Sequence, residues 1–308
     1  MDKISVVVPC FNEEKVLRLF YAELKHVMDK MKTTDFEIIF IDDGSKDKTL
    51  QIVKKLKEKD ERIRYISFSK NFGKEAAIFA GLENSTGEFV AVMDADLQDP
   101  PALLKEMYEC LKKEDYDSVA TRRTTRQGEP VLRSFFAKCF YCLMRRISKA
   151  NIVDGARDFR LMKRPMVDAV LNMREHNRFS KGIFGWVGFK TKWLEYKNVE
   201  RAAGKTKWSF LKLLFYSLDG IAAFSTMPLG IAFFAGLFLC MAAFVGLIVF
   251  LLRYFSGEKS AYGCSFLICI MLFLNGFELI NMGVLGHYLA KTYLEVKNRP
   301  IYIVREQG

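Results

Sequence analysis

Short apolar runs alternate with helix-like segments over roughly the first 120 residues of the chain. Five runs rich in Val, Ile and Phe predict strands at residues 4–8, 36–41, 64–68, 89–93 and 118–121. Helices are predicted from Asn12, as an N-cap, to about residue 31, from Ser45 or Asp47 to about 57, and over residues 74–84 and 101–112. Repeated strand–helix units indicate an α/β fold with a mostly parallel, doubly wound sheet. Ligands of such sheets bind at the carboxyl ends of the strands.

Two longer apolar spans lie near the C-terminus, at about residues 227–252 and 262–285. Each is long enough to cross a bilayer, so together they predict a two-helix transmembrane hairpin. The alternative is a pair of buried core helices, which the lack of any polar face in the first span disfavours. Glu278, in the second span, is costly in lipid and indicates pairing with another helix or subunit. We therefore expect a homo-oligomer, with a tetramer as one arrangement, although snorkelling of Glu278 at a helix end is the alternative.

Basic residues are more frequent beside the ends of this hairpin than at its tip. The hairpin is preceded by Lys205, Lys207 and Lys212 and followed by Lys291, Lys297 and Arg299. Its tip carries only Arg253 and Lys259. By the positive-inside rule, both termini and the α/β domain are expected in the cytoplasm, in a multi-pass protein of the cell (inner or plasma) membrane. Residues 208–225 are interpreted as an amphipathic helix in the membrane interface, with an ordinary domain helix as the alternative. No signal peptide is predicted, because the apolar run at residues 4–8 is too short.

The net charge is +11, of which residues 226–308 carry +2 and residues 1–225 carry +9. A basic domain suits nucleic acid, phosphate-rich ligands or anionic lipid, and charge alone does not choose among them. The seven Cys residues show no disulfide spacing. Cys139 and Cys142 form a C-x-x-C pair without a second pair, which we interpret as two small apolar residues on one helix face rather than a zinc site.

Polar residues follow each of the first four predicted strands. Asp94 and Asp96 come at the end of the fourth strand, where two carboxylates one residue apart can hold a divalent cation, with Gln98 adding a carbonyl oxygen. Such a cation bridges diphosphate oxygens. A solvated acidic turn is the alternative. Asp42 and Asp43 are either turn residues or, in a nucleotide pocket, acceptors for a uracil N–H or ribose hydroxyls. The P-loop and dinucleotide-binding motifs are absent from the sequence.

The segments VVVPCFNEE, IDDGSKDKT, NFGKEAA and MDADLQDPP together resemble the family 2 inverting glycosyltransferases, which have the Rossmann-like GT-A fold. The resemblance is strongest to the polyprenyl-phosphate branch, which includes bactoprenol glucosyltransferases and dolichyl-phosphate mannose synthases. DFRLM, RFSKGIFGWVGFK and RAAGKTKWS extend it along the chain. It implies a cytoplasmic GT-A catalytic domain at residues 1–207, the interface helix at 208–225, the two transmembrane helices within 226–290 and a cytoplasmic C-terminal tail at 291–308.

The resemblance also implies roles for individual residues. Asp94 and Asp96 would be catalytic and would hold Mg²⁺ or Mn²⁺ with Gln98. Nucleotide-sugar binding would involve Pro9, Phe11, Glu13, Asp42, Asp43, Lys74 and Arg122. Arg133 would contact phosphate, and the lipid phosphate site would comprise Arg133, Ser134, Arg201 and Lys207. For each basic residue, the alternative is an ordinary solvated surface charge.

The implied activity is inverting transfer of a sugar from a nucleotide-sugar, UDP-glucose or UDP-N-acetylglucosamine, to polyprenyl (undecaprenyl) phosphate, with no nucleic acid partner. Mannose or an amino sugar is also compatible with these motifs. One alternative is a processive polysaccharide synthase, which the absence of a Q-x-x-R-W motif and of further apolar spans disfavours. Another is a non-catalytic membrane scaffold or lipid transporter with a transferase-like domain, which the intact aspartates disfavour.

Overall fold

The computed structural model describes residues 1–123, 153, 155–196, 226–256 and 263–308. The chain divides into two compact units. The first comprises Met1–Ala223 and Arg299–Gly308, and the second comprises Phe224–Asn298. The two stretches of the first unit are therefore separated in sequence by the whole of the second.

The described part of the first unit is an α/β domain built on one eight-stranded sheet. The strands are β1 (Asp2–Cys10), β2 (Thr34–Asp42), β3 (Ile63–Phe68), β4 (Phe89–Val92), β5 (Ser118–Arg123), β6 (Ala156–Lys163), β7 (Thr191–Tyr196) and β8 (Val304–Gln307). The helices are α1 (Leu17–Lys30), α2 (Thr49–Lys57), α3 (Lys74–Glu83), α4 (Leu103–Lys113), α5 (Arg164–Asn172) and α6 (Ser180–Trp186). The strand order is β7-β5-β6-β4-β1-β2-β3-β8.

The centre of the sheet is parallel, because β1 pairs with both β2 and β4, and β2 pairs with β3, in parallel. Strand β6 is antiparallel to both β4 and β5. Apolar side chains cover both faces of the central strands, which explains their continuous hydrophobic runs. Helices α1 and α4 pack on one face and α3 on the other. Helix α3 lies so close to β1 that a Cβ on Gly81 would come within 2.0 Å of Val7 Cγ1.

All five strands predicted from the sequence are present, and the mostly parallel α/β sheet is confirmed. The predicted start of the first helix is wrong. Helix α1 begins at Leu17 rather than after Asn12, which has a left-handed φ of 55°. Asn12 instead bonds the neighbouring loop after β2, so it does not cap α1. The second helix, α2, begins at Thr49 with Lys48 at its N-cap position, rather than Ser45 or Asp47. Asp47 lies one residue earlier, and its Oδ1 accepts a 3.0 Å hydrogen bond from the Thr49 N–H.

Three strands were not predicted, and one of them changes the description of the C-terminus. Strand β8 pairs antiparallel with β3, the last strand on one side of the parallel core. Tyr302 stacks on Phe68 at a ring-centroid distance of 4.9 Å. Part of the segment described from sequence as a tail at residues 291–308 is thus a strand of the α/β sheet.

The second unit contains two long helices, α7 (Met227–Phe255) and α8 (Gly263–Val296), which contact each other. Both cover the spans expected from the sequence, and α8 continues past residue 285. Among the described residues, one helical stretch, Met227–Gly246, is long and apolar enough to cross a membrane by length and composition. The second transmembrane span therefore stays a prediction. The expected interface helix at residues 208–225 lies outside the described residues.

Candidate active site

The loops that follow β1 and β2 hold each other in place. The Asn12 N–H donates to Ser45 Oγ at 2.9 Å, and the Lys46 N–H donates back to Asn12 Oδ1 at 2.8 Å. The Glu13 N–H donates to Thr49 Oγ1 at 2.8 Å. Asn tolerates a left-handed backbone better than most residues, which suits Asn12 to this position. These reciprocal bonds fix the carboxyl end of β1 against that of β2.

A cleft of about 530 Å³ opens beside these loops. It is lined by Phe11, Asp42, residues 44–46, Leu50, residues 67–71 and Arg305. Gly44 has a φ of +67°, and a Cβ there would lie 2.5 Å from the Lys70 carbonyl carbon, so the turn requires glycine. Asp42 is buried, accepting from Ser67 Oγ at 2.8 Å and from the Ser45 N–H at 3.2 Å. The cleft thus lies at the carboxyl ends of β1, β2 and β3, with an added residue from β8.

Asp43 holds the loop between β3 and α3. It accepts hydrogen bonds from the Phe72 N–H at 2.6 Å, the Gly73 N–H at 3.0 Å and Asn71 Nδ2 at 2.8 Å. Burial raises the pKa of Asp43 to about 6, against the opposing effect of these backbone donors. The two adjacent aspartates therefore differ: Asp42 lines the cleft, whereas Asp43 positions one of its walls.

The residues predicted to contact the nucleoside fall into two groups. Phe11 and Asp42 line the cleft. Pro9, Glu13 and Asp43 belong to the same strand ends but are not among the described residues that line it. Their contacts with a ligand stay predictions.

Lys74, at the start of α3, lies between two carboxylates from different strands. Its Nζ is 2.7 Å from Asp94 Oδ1, just after β4, and it also bonds Asp158 in β6. Removal from water lowers the pKa of Lys74, but Asp158 and Asp94 outweigh this effect and raise it. Burial likewise raises the pKa of Asp158, and Lys74 and Lys181 reverse that shift and lower it. Lys74 was predicted at the nucleotide-sugar, and the structure brings it to the predicted metal ligand Asp94.

The acidic loop after β4 is held by a buried cluster. Asp99 is 0% exposed and accepts from Arg157 Nε at 3.0 Å and from the Tyr196 hydroxyl. Arg157 also donates to Gln98 Oε1 at 3.2 Å. Asp96 Oδ1 accepts from the Gln98 N–H at 3.1 Å, in a turn where Leu97 has a φ of 59°. This cluster ties the loop that carries Asp96 and Gln98 to β6 and β7.

The chemistry of this edge fits a hard divalent cation. Asp94, Asp96 and Gln98 offer oxygen atoms on one short loop, the donor type that Mg²⁺ and Mn²⁺ prefer. Asp94 already neutralises a positive charge, the ammonium of Lys74. Across the described ranges, however, three or more His, Cys, Asp or Glu side chains do not converge into a ready-made metal cage. The metal site stays a prediction that requires an oxygen ligand from Gln98 or from a substrate.

The predicted phosphate-binding residues are only partly within the described structure. Arg122, near the end of β5, forms an ion pair with Glu195 in the adjacent strand β7. Its contact with phosphate stays a prediction. Arg133, Ser134, Arg201 and Lys207 lie outside the described residues. Cys139 and Cys142 do so as well.

Several charged residues of this site had no role predicted from the sequence, among them Asp158, Lys181 and Arg305. Asp158 and Lys181 lie in segments that carried the family resemblance, DFRLM and RFSKGIF, but received no role. Asp158 is the one carboxylate among the basic and apolar residues of ARDFRLMK, and that contrast was the available signal for it. Arg305 follows the long helices, and nothing in its local sequence indicates that it lies beside the cleft.

Three comparisons with known proteins bear on this site. The sequence matches the profile of Glycosyl transferase family 2 over residues 5–171. It is 41% identical to the putative glycosyltransferase CsbB of Bacillus subtilis (strain 168), over 98% of this chain and 91% of that protein. It is 40% identical to a prophage bactoprenol glucosyl transferase homolog of Escherichia coli (strain K12), over 98% of each. Glucosyl-3-phosphoglycerate synthase from Mycobacterium tuberculosis, crystallised with Mn²⁺, UDP and phosphoglyceric acid, aligns with a TM-score of 0.47 at 19% identity, covering 72% of this chain and 76% of that one.

Proposed function

Because the chain belongs to glycosyl transferase family 2 and is a glycosyltransferase, we propose that it transfers a sugar from a nucleotide-sugar to a polyprenyl phosphate lipid. The observation that carries the proposal is the single edge at which the strand-end motifs meet. There the cleft beside β1–β3 is joined to the Asp94–Lys74–Asp158 cluster through the loop that Asp43 holds. A nucleotide-sugar needs such a pair of neighbouring subsites, one for the nucleoside and one for the diphosphate and sugar.

The cleft is suited to the nucleoside of the donor. Phe11 offers an aromatic surface, and Asp42 and the backbone around residues 44–46 offer polar groups beside it. Lys46, Lys70 and Arg305 give the cleft a positive rim, which favours an anionic ligand. We propose UDP-glucose or UDP-N-acetylglucosamine as the donor, with the base in this cleft and the diphosphate directed toward Asp94.

A divalent cation is proposed at Asp94, Asp96 and Gln98. When bound, Mg²⁺ or Mn²⁺ would neutralise the diphosphate and so stabilise it as a leaving group. Lys74 supplies a fixed positive charge at the same place, held by Asp94 and Asp158. The Asp99–Arg157–Tyr196 cluster keeps the acidic loop rigid, which is the role expected of residues that support a ligand-binding loop.

A lipid acceptor is supported by the named relative and by the second unit. The Escherichia coli relative is described as a bactoprenol glucosyl transferase homolog. Helix α7 has an apolar stretch long enough to cross a bilayer. The chain leaves the α/β unit before α7 and returns to it after α8, since β8 pairs with β3. A chain that returns to the same domain crosses a membrane an even number of times, which favours two crossings with both termini on the side of the α/β domain. We propose, from the positive-inside rule, that this side is the cytoplasm.

In the proposed reaction, an oxygen of the acceptor phosphate attacks the anomeric carbon of the sugar. A new carbon–oxygen bond forms as the bond to the diphosphate breaks, and the configuration inverts. The acceptor phosphate is already largely ionised near neutral pH, because its second pKa is about 6. The protein therefore needs no strong general base. Its task is to bring two anions together and to orient them.

The proposal is tested with the full chain purified in detergent. Radiolabelled UDP-glucose, UDP-N-acetylglucosamine and GDP-mannose are each incubated with undecaprenyl phosphate and Mg²⁺ or Mn²⁺, and label in the organic phase is counted. We expect one UDP-sugar to label the lipid and EDTA to stop the reaction. Undecaprenol, which lacks the phosphate, serves as the matched control acceptor.

Three results would contradict parts of the proposal. Equal labelling of undecaprenol would reject the phosphate as acceptor. Undiminished transfer in EDTA would reject the cation. A ladder of products longer than one sugar would indicate a processive synthase instead.

A further inference from the structure

Lys74 contacts both oxygens of the Asp94 carboxylate. Its Nζ lies 2.7 Å from Asp94 Oδ1 and 2.8 Å from Asp94 Oδ2, and it also bonds Asp158. Mg²⁺ binds oxygen at about 2.1 Å, so a cation on either oxygen of Asp94 would lie within about 5 Å of the Lys74 ammonium. Like charges at that distance repel each other. In this conformation, the ammonium therefore competes with a divalent cation for Asp94.

The charges that contact one another in this cluster cancel without a divalent cation. Asp94 and Asp158 carry two negative charges. Lys74 and Lys181 carry two positive charges, and Lys181 Nζ is 4.0 Å from Asp158 Oδ1. Asp96, on the same loop as Asp94, adds one further carboxylate. A divalent cation alone would therefore leave a positive surplus, whereas a cation that arrives with a diphosphate would not. Mg²⁺ is commonly bound in this second way, by one or two carboxylates together with substrate phosphates.

Asp158 offers Lys74 a second partner that lies deeper in the site. The side chain of Asp158 is 17% exposed, against 23% for Asp94 and 40% for Lys74. A lysine ammonium has three donors at the end of a flexible four-carbon stem. By rotation of its side chain, Lys74 can therefore leave Asp94, the more accessible carboxylate, and keep Asp158.

The backbone before Lys74 is tied to the wall of the donor cleft. Gly73 has a φ of +97°, and its N–H donates to Asp43 Oδ2 at 3.0 Å. The Phe72 N–H donates to the same carboxylate at 2.6 Å. Asn71, whose Nδ2 also donates to Asp43, lines the cleft itself. This loop fixes the start of α3, so the ammonium of Lys74 moves about a fixed point beside the proposed position of the diphosphate.

We propose that Lys74 is an internal counter-ion that occupies Asp94 until the donor binds. When the diphosphate and the cation arrive together, Lys74 gives up Asp94, keeps Asp158 and turns its remaining N–H donors to the diphosphate. This inference rests on the proposed function, since it concerns the order in which that site is filled. Asp158 is then a positioning residue that holds Lys74 during the exchange. As a consequence, the enzyme without nucleotide binds a divalent cation weakly.

Binding of Mn²⁺ measures this competition separately from sugar transfer. The electron paramagnetic resonance signal of free Mn²⁺ is titrated with the full chain in detergent, with and without saturating UDP, and a protein-free titration corrects for Mn²⁺ held by UDP alone. We expect UDP to tighten Mn²⁺ binding to the wild type by about tenfold or more. Lys74→Met should tighten Mn²⁺ binding by about tenfold or more without UDP, and by no more than about threefold with UDP.

Control variants separate direct competition from the general effect of removing a positive charge. Lys181→Met removes a neighbouring charge whose ion pair is with Asp158, so it should change Mn²⁺ binding by no more than about threefold. Lys74→Arg keeps the charge at the same position and should not tighten Mn²⁺ binding. If the unfolding temperature shows that Lys74→Met does not fold, Lys74→Gln decides the question, because its amide can still donate to Asp158.

Several results would overturn the proposal. One is Mn²⁺ binding to the wild type that is equally tight with and without UDP. Another is an unchanged Mn²⁺ affinity in Lys74→Met and Lys74→Gln, or an equal gain in Lys181→Met. An enzyme that transfers sugar to the lipid yet gives any of these results rejects only the role of Lys74. A wild type that shows the expected competition but labels no lipid would reject the proposed function and leave the role of Lys74 standing.

Discussion

Asp94 and Asp96 are separated by one residue in the sequence, but the structure gives them different surroundings. Asp94 is paired with Lys74, whereas Asp96 lies in the turn that also contains Gln98. The sequence was sufficient to place both at the end of a buried strand, because the apolar run of β4 ends immediately before them. It could not show the Lys74–Asp94 pair, because that contact depends on how α3 packs against the sheet.

Replacing Asp96 by Asn should abolish transfer while leaving the fold intact. The side chain is half-buried on a loop, and the substitution keeps its shape but removes a charge needed to hold a divalent cation. We expect the rate of lipid labelling to fall by roughly a hundredfold or more. The unfolding temperature in detergent should stay within a few degrees of the wild type. Near-normal labelling by this variant would reject the assignment of Asp96 to the metal site.

Arg305 contributes to the donor cleft from the far end of the chain. Replacing it by Ala should raise the apparent KM for the nucleotide-sugar by about fivefold, the effect expected from losing one hydrogen bond or charge contact of about 1 kcal/mol. The apparent KM for the lipid acceptor should not change. Gln307→Ala, in the same strand, is the matched control. A larger change in the KM for the lipid than for the donor would show that Arg305 acts elsewhere.

At the scale of elements, strands β1–β5 were predictable because each is an apolar run bounded by polar residues. Strand β6 was missed because its sequence, ARDFRLMK, is half charged. Its inward-facing Phe159 and Leu161 alternate with Asp158 and Arg160, a pattern typical of a strand with one polar face. Strand β8, VREQ, has no apolar pattern at all, and its place is determined by pairing with β3.

Glu37 joins several of these elements at a distance from the site. It accepts from Ser5 Oγ in β1 at 2.5 Å and from the Thr86 N–H before β4 at 2.6 Å, and it pairs with Lys3 at 3.2 Å and Arg64 at 3.4 Å. Burial alone would raise the pKa of Glu37, but the hydrogen bonds from Ser5 and Thr86 outweigh it and lower the pKa to about 2. Because the pKa is lower in the folded than in the unfolded chain, the ionised form stabilises the fold.

Replacing Glu37 by Gln should therefore destabilise the protein in a pH-dependent way. From an ordinary pKa of 4.5 to about 2 in the fold, the loss is about 3 kcal/mol at neutral pH. The stabilisation is fully present above pH 4.5 and is lost as the pH falls toward 2. Thermal unfolding in detergent at pH 7 and at pH 3.5 measures the difference, with exposed Glu106→Gln as the control. An equal difference between variant and wild type at both pH values would show that the charge is not the cause.

At the scale of the whole molecule, the α/β domain is built from two sequence segments, one that precedes the helical unit and one that follows it. Residues 299–308 belong with residues 1–223, and the Tyr65 N–H donates to the Gly308 carbonyl at 2.8 Å. The apolar spans in the sequence were sufficient to locate the two long helices. The sequence could not show that the segment after them rejoins the sheet, because strand pairing between residues about 240 apart in sequence leaves no local pattern.

Removing residues 304–308 should weaken the whole α/β domain rather than the C-terminus alone. The truncated chain loses the pairing of β8 with β3 and the 2.6 Å ion pair between Lys54 and Glu306. We expect the unfolding temperature to fall by roughly 5 °C or more, and UDP binding to weaken through the loss of Arg305. A double replacement, Arg305→Ala with Glu306→Gln, keeps the strand and separates the two effects. An unchanged unfolding temperature after truncation would show that β8 contributes little to the fold.

Because β8 is the last element in the sequence, the sheet can be completed only at the end of translation. The ribosome makes β1 to β7 first, then α7 and α8, and only afterwards the residues that cover the open edge of β3. Throughout that interval the nascent domain exposes an unpaired strand edge, a known liability for aggregation. A product of premature termination anywhere before residue 304 keeps that edge permanently. Such truncated chains would be natural substrates for chaperones and quality-control proteases, so the final strand couples the solubility of the catalytic domain to synthesis of the helices that precede it.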